Sequence, residues 1–335
     1  MYQSEIRYHA RDLVIAAVCL CAASGVQAQR AGVVAKDYPS KAIRLVVPYA
    51  AGGGLDVVGR ILAQKIAPAF GQQVVLDNRG GAGGVPGSDH VAKSAPDGYT
   101  LLHSTSSQLI LPFFLKSLPY DTVRDFMPVT IVVRNVGHLL VVNNSVPARS
   151  VKELIALAKA NPGKLNYGSA GNGNVLHLAA EIFNQLANTK MTHIPYKGAA
   201  NAMTDVMGGQ IDLCFPTAPT ALSLVQSGRV RALGITAAKR WARLPEVPTL
   251  DEAGLKGHHY SAWYALWFPA GTPQEYVERM HREVVVALGD ADIRRQYEEQ
   301  GLIPVGNRPE EFARIIQEEL EFNRKLTARI GVVPE

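Results

Sequence analysis

Ser169 and His177 are the first residues to test for chemistry. Ser169 follows a strand-like run, Leu165–Gly168, and precedes a helical pattern at Val175–Leu186. A nucleophilic serine on a strand–turn–helix elbow needs glycine two positions before and two after it, because the turn is tight. Tyr167 stands at the first of these positions and Gly171 at the second, so only half the pattern is met. His177 on the following helix is open to acid–base work, or to capping and structuring the loop before it. Cys214 lies in an apolar run (Ile211, Leu213, Phe215) and reads as a buried packing residue. The nine histidines form no H-E-x-x-H, the cysteines form no C-x-x-C, and His258 and His259 would point to opposite faces of an extended segment. These patterns lead to the expectation of no metal, no cofactor and no catalytic residue. The alternative is a serine hydrolase using Ser169 and His177.

A different chemistry recurs along the chain. The run Ile43–Ile66 (IRLVVPYAAGGGLDVVGRILAQKI) reads as a buried strand, a loop of Gly52, Gly53 and Gly54, then a helix with Leu55, Val58, Leu62 and Ile66 on one face. Unpaired N–H groups at the head of that helix, with the positive end of its dipole, favour an anion. Neither a Walker A loop nor G-x-G-x-x-G is present, so the anion reads as a carboxylate rather than a nucleotide. Ser104-Thr105-Ser106-Ser107, Ser169–Asn174 and Tyr196-Lys197-Gly198 repeat the device: a small, polar loop between a strand and a helix. In a parallel α/β unit such loops gather at the carboxyl ends of the strands, where ligands bind. Tyr49, Gly53, Gly54, Leu55, Ser104, Thr105, Ser106, Ser169, Asn172, Gly173, Asn174 and Tyr196 are therefore the candidate ligand-binding residues. Asp56, in the first turn of its helix, reads as structuring the glycine loop, because a second anion would repel a carboxylate.

The elements that must position these loops alternate as strand and helix. Strands are expected at Ile43–Val47, Gln73–Asp77 and Tyr99–His103 with helices between, and again at Leu165–Gly168, Met191–Pro195, Ile211–Phe215 and Val230–Thr236. Ser150-Val151-Lys152-Glu153 and Thr272-Pro273-Gln274-Glu275 have the form of capping boxes. The aromatic run Tyr260–Phe268 and a helical C-terminal block follow. That block lacks the strands to fold alone and is expected to return to the first unit. The sequence thus predicts an α/β protein of two lobes with mostly parallel sheets flanked by helices. Residues 37–131 with 259–335 form a discontinuous first domain, and 132–258 an inserted second one. Extended crossings near Thr130–Asn135 and Tyr260 would hinge the lobes about a cleft.

At 335 residues and 47% hydrophobic composition the chain can bury a full core. Its net charge of +5 is scattered, without the basic stripe of a nucleic-acid binder. Residues 13–23 (LVIAAVCLCAA) follow Arg7 and Arg11 and precede small residues at Val26 and Ala28. The run is shorter than the about 20 residues of a membrane span and reads as a signal peptide, residues 1–28, cleaved after Ala28. Cys19 and Cys21 leave with it, and Cys214 alone can form no internal disulfide.

Motifs spread over the whole mature chain resemble one family. They are Tyr38-Pro39-Ser40-Lys41, Val46-Val47-Pro48-Tyr49, Gly52-Gly53-Gly54 with Asp56, Asp77-Asn78-Arg79, Ala95–Thr100, Tyr167-Gly168-Ser169, His177-Leu178-Ala179, Pro195–Gly198, Leu244–Thr249 and Pro269–Pro273. The chain is similar to the periplasmic solute-binding proteins of tripartite tricarboxylate transporters, the Bug or TctC-type receptors. The resemblance implies a type II periplasmic-binding fold that closes on a carboxylated metabolite without catalysis. It further implies a receptor that delivers its ligand to a membrane permease, and the chain is expected to be monomeric; a receptor signalling to a membrane sensor is the alternative partner. Two positions depart from the family pattern. Leu55 replaces a usual Thr or Ser, and Pro216, beside Thr217, replaces a frequent Asp that could receive an ammonium. The expected ligand is therefore a carboxylate with an apolar or aromatic body and no amino group. Pro216 and Thr217 join the candidate ligand-binding residues.

Overall fold

Strand β1 (Ile43–Val47) is an apolar run with Ile43, Leu45, Val46 and Val47 buried, as befits a strand covered on both faces. The computed structural model describes residues 38–334, and the expected signal segment 1–28 lies outside them. Within the unit Lys41–Glu335, β1 pairs in parallel with β2 (Val74–Asn78) and β3 (Thr100–Thr105). Helices α1 (Gly54–Phe70) and α2 (Val85–Ala92) make the connections. The sheet then continues with β4 (Phe126–Asn135) and, from far along the chain, β10 (Trp263–Pro269) and β11 (Leu302–Pro304), in the order β11-β4-β10-β3-β1-β2. Strand β10 is antiparallel to both β3 and β4, and β11 to β4.

The second sheet holds β5 (Leu139–Val142), β6 (Asn166–Ser169), β7 (Thr192–Pro195), β8 (Leu213–Cys214) and β9 (Arg231–Ile235), ordered β7-β6-β8-β5-β9. Here β6 is parallel to β7 and β8, and β5 antiparallel to β8 and β9. Helices α3 (Val151–Ala160), α4 (Val175–Ala187), α5 (Ala199–Met207) and α6 (Ala218–Gln226) flank it. The two-lobed, helix-flanked α/β architecture is the expected one, but the sheets are mixed rather than mostly parallel. At β10 and β5 the reason is the crossing: a chain arriving from the other lobe enters its sheet from the opposite end and pairs antiparallel. All seven residues of β10 are buried in the sheet interior, which explains a run too apolar to alternate.

Two segments, 136–138 and 236–262, connect the sheets and are tied to each other. Thr236 N–H donates to the His138 carbonyl at 2.9 Å, and His138 N–H donates to Thr236 Oγ1 at 2.8 Å. The C-terminal block comprises α7 (Gln274–Gly289), α8 (Ala291–Glu299) and α9 (Pro309–Arg329). Near its start α9 packs Phe312 against Trp263 and Trp267 of the first sheet, and near its end Leu326 joins the apolar core of the second. Ser150 caps α3 as the sequence suggests, with Glu153 reaching back to Arg149 N–H. Thr272 instead donates to the Pro269 carbonyl, leaving Pro273 at the N-cap of α7.

Candidate functional site

Four helices start from the carboxyl ends of strands and bring their heads to one place. The first-lobe contribution begins where Pro48 ends β1. Gly52, at φ +85°, turns the loop through a left-handed conformation that glycine tolerates, and α1 starts at Gly54. In the second lobe α4 starts at Val175 after β6, α5 at Ala199 after β7 and α6 at Ala218 after β8. An inner cavity of about 30 Å3 lies among these heads. Tyr49, Gly53, Gly54, Leu55 and Asp56 line it from the α1 side, with Thr105 and Tyr264. Ala170, Asn174, Val175, Ala199 and Thr217 line it from the other.

No lysine, arginine or histidine lines this cavity. The groups that can favour an anion there are backbone N–H groups and helix dipoles. The carboxylate of Asp56 does not oppose this freely, because it is fully engaged. It accepts from Gly52 N–H at 3.0 Å, from the Arg60 guanidinium at 2.9 and 3.0 Å, and from Asn78 Nδ2 at 3.1 Å. Burial alone would raise its pKa, but bonds from Arg60, Gly52 and Asn78 hold it below the usual carboxylate range. Asp56 thereby fixes the glycine loop onto its helix.

The two lobes are in direct contact across the cleft. Ala50 N–H donates to the Lys197 carbonyl at 3.1 Å, and Tyr264 OH donates to Thr217 Oγ1 at 3.0 Å. Gly83 and Gly171 meet backbone to backbone; a Cβ on Gly171 would come within 2.3 Å of Gly83 N. Gly54 sits so close to Thr217 and Tyr264 that a Cβ there would lie 2.6 and 2.8 Å from their oxygens. Outside these contacts an outer cleft of about 630 Å3 is lined by Gly81, Ala82 and Leu115 from one lobe and Asn172, Tyr196 and Lys197 from the other.

Of the residues singled out from sequence, Tyr49, Gly53, Gly54, Leu55, Thr105, Asn174 and Thr217 lie at the inner cavity, and Asn172 and Tyr196 at the outer cleft. Tyr49 OH donates to the Gly83 carbonyl at 3.0 Å, which turns its ring into a wall and its hydroxyl into a tie for the glycine-rich loop. Ser104, Ser169, Gly173 and Pro216 line neither space. Ser104 belongs to β3 opposite Ala265, Gly173 packs on Leu111 and Phe114, and the Pro216 carbonyl accepts from Leu139 N–H. Ser106 lines a separate groove with Arg134 and Glu319.

Ser169 is fully buried. Its Oγ lies 2.6 Å from Nε2 of His193, not His177, and accepts from Gly171 N–H at 3.0 Å. His177 stacks on His193 with ring centroids 3.8 Å apart, and its Nδ1 accepts from Gly173 N–H at 3.3 Å. Burial pushes His193 down to about 4; burial and then its neighbour His193 push His177 down to about 3. Imidazoles this weakly basic are poor proton acceptors at neutral pH. The Ser169–His177 pairing of the hydrolase alternative is not formed, and Ser169 is a loop anchor. Among the described residues no group of three or more His, Cys, Asp or Glu is arranged to hold a metal. Cys214 is buried, and burial pushes its thiol up to about 12.

Three residues at the heart of the site escaped the sequence reading: Tyr264, Thr220 and Ser107. Tyr264 lies inside the aromatic run Tyr260–Phe268, and Thr220 inside a helical pattern. Ser107 stood at the end of a hydroxyl run whose other members were chosen. Period-two alternation along β3 separates Thr105 from Ser104, whereas Ser106 and Ser107 lie in the short 3-10 turn that follows the strand.

Comparison with known proteins points one way. The family described as "Tripartite tricarboxylate transporter family receptor" matches residues 58–332. The UPF0065 protein of the tcbD-tcbE intergenic region in a Pseudomonas species is 37% identical over 318 residues, covering 94% of this chain and 93% of that protein. The structure of the periplasmic binding protein BugD superposes with TM-score 0.86 at 32% identity, over 89% of this chain and all (100%) of that one. A protein of R. palustris determined with adipate gives TM-score 0.85 at 34% identity, over 89% of this chain and 100% of its own.

Proposed function

Since the chain belongs to the receptor family of tripartite tricarboxylate transporters, we propose that the carboxylate it captures carries an apolar or aromatic body and no amino group. The protein is a periplasmic solute-binding receptor, not an enzyme, that binds a small carboxylate and works with a membrane permease of that transporter type. The observation that carries the ligand class is the inner cavity, which at about 30 Å3 must widen to take a ligand body: helix heads converge on it, no basic side chain lines it, and Leu55 and Tyr49 supply apolar wall. Each charge-assisted bond from a helix-head N–H to a carboxylate contributes about 1.5–3 kcal/mol. A ligand ammonium would find only Asp56, whose oxygens are already occupied by Gly52, Arg60 and Asn78. Pro216, where the family often has an acid, supplies no second anion.

The adipate-bound relative supports a carboxylate ligand but does not set the body of this one. Tyr49, Gly53, Gly54, Leu55, Thr105, Asn174 and Thr217 form the inner contact set in this reading, with Asn172 and Tyr196 at the mouth. In this reading the lobes divide where segments 136–138 and 236–262 connect the two sheets, a few residues beyond the expected 131–132 because β4 runs on to Asn135 in the first sheet, and they close about those crossings. Export follows cleavage after Ala28, and the receptor acts as a monomer feeding transport. A thermal-shift panel tests the ligand class. Benzoate, phenylacetate and hexanoate should raise the melting temperature while aspartate and glutamate leave it unchanged; strong stabilisation by aspartate or glutamate with none by the apolar acids rejects it.

A further inference from the structure

Two helix heads at the inner cavity are capped by hydroxyls from the opposite lobe. Gly54 N–H, at the start of α1, donates to Thr220 Oγ1 of α6 at 3.0 Å. Gly53 at the N-cap has no side chain that could do this. Across the cleft, Val175 N–H at the start of α4 donates to Ser107 Oγ at 3.0 Å, and Asn174 Nδ2 donates to the same oxygen at 3.1 Å. Asn174, the N-cap residue, turns its Oδ1 to Leu176 N–H at 2.9 Å, one residue beyond Val175. Each lobe thus completes the other's helix. Thr220 and Ser107 are both buried, so neither cap is shared with bulk water.

A hydroxyl oxygen offers a helix head only a partial charge, whereas the dipole and the free N–H groups there favour a full anion. We propose that Thr220 and Ser107 are internal placeholders: their hydroxyls hold the carboxylate positions at the heads of α1 and α4 in the ligand-free closed form, and a bound carboxylate displaces at least Thr220. This rests on the carboxylate reading of the site and adds its regulation. The placeholders keep the ligand-free lobes together, and so set how much receptor stands open to take ligand. A receptor closed in this way admits ligand in proportion to its open fraction, so the caps lower the association rate.

The proposal is tested first without ligand. Dyes at Gln64→Cys and Lys159→Cys, one exposed position on each lobe, report the open and closed populations by single-molecule energy transfer, with Cys214 buried and unlabelled. Thr220→Val keeps the shape but leaves Gly54 N–H unpaired when the lobes meet. It should move the ligand-free equilibrium toward the open form by roughly fivefold to a hundredfold. Ser107→Ala should move it in the same direction, and Thr220→Ser should restore the wild-type distribution. An unchanged distribution in Thr220→Val overturns the proposal whether or not any acid binds, which separates its failure from that of the ligand class. For an acid active in the thermal-shift panel, stopped-flow binding to Thr220→Val should show a faster association rate and an affinity equal to or above wild type. An affinity more than tenfold below wild type would make Thr220 a direct ligand contact and overturn the placeholder role.

Discussion

Gly198→Ala isolates lobe closure from folding. Gly198 has φ 179°, an extended conformation that alanine adopts without strain. The three nearest atoms to a Cβ at this position all belong to Ala50 of the other lobe, with Cβ at 3.0 Å, N at 3.1 Å and Cα at 3.4 Å. The methyl therefore pushes on the point where Ala50 N–H donates to the Lys197 carbonyl. Loss of that hydrogen bond costs about 0.5–1.5 kcal/mol, and a contact that must open by a few tenths of an ångström falls at the low end of the about 1–3 kcal/mol typical of overpacking. The sum, about 1–3 kcal/mol against the closed form, weakens ligand binding by about 5- to 150-fold at 1.4 kcal/mol per decade. Calorimetric titration with an acid from the panel reads the affinity, and chemical denaturation of the ligand-free protein reads the fold. A wild-type affinity in Gly198→Ala would refute the reasoning, as would an affinity loss matched by an equal loss of stability.

Other perturbations follow from the same geometry. Gly54→Ala places a methyl 2.6 Å from Thr217 Oγ1 and 2.8 Å from Tyr264 OH, so it should lower ligand affinity at least about tenfold, read by calorimetry, because two hydroxyls must be displaced to close. Asp56→Asn keeps the shape but removes the charge that Arg60, Gly52 and Asn78 address; urea denaturation should show about 1–3 kcal/mol lower stability. Burial holds His103, His193 and His258 down to about 4 and His138 and His177 down to about 3. Between the ordinary histidine value and these, the unfolded chain binds protons that the folded one refuses, so stability is full above about pH 6.5 and falls as pH drops toward 4, with a slope of at most about 1.4 kcal/mol per pH unit for a histidine that stays neutral in the fold. The denaturation midpoint followed from pH 7 to pH 4 should fall steeply, and His138→Phe should flatten the slope.

Local patterns carried much of this fold, and long-range pairing carried the rest. The strand, glycine loop and helix at Ile43–Ile66 were legible because β1 is buried on both faces and α1 keeps Leu55, Val58, Leu62 and Ile66 on one stripe. The repeated loops were legible for the same reason, since a strand feeding a helix exposes the helix head whatever lies elsewhere. Nothing local says that β10 inserts between β3 and β4, which made the sheets mixed and brought Tyr264 to the cavity. Ser104 and Thr105 differ by one position and so face opposite sides of β3, a distinction that composition cannot make. Thr220 and Ser107 matter only when two lobes distant in sequence meet, and their partners, Gly54 and Val175, are backbone groups without a side-chain signature. Sequence proximity to Ser169 points to His177, whereas pairing of β6 with β7 places His193 opposite Tyr167, beside the serine.

The central claim is that helix heads, rather than any basic side chain, hold a carboxylate between the lobes. Its most direct test is calorimetry of one acid from the panel against its own carboxamide, which has the same body and no charge. Losing two charge-assisted bonds in favour of neutral ones costs about 2–3 kcal/mol, so the amide should bind about 30- to 150-fold more weakly. An amide that binds as tightly as the acid would contradict the account.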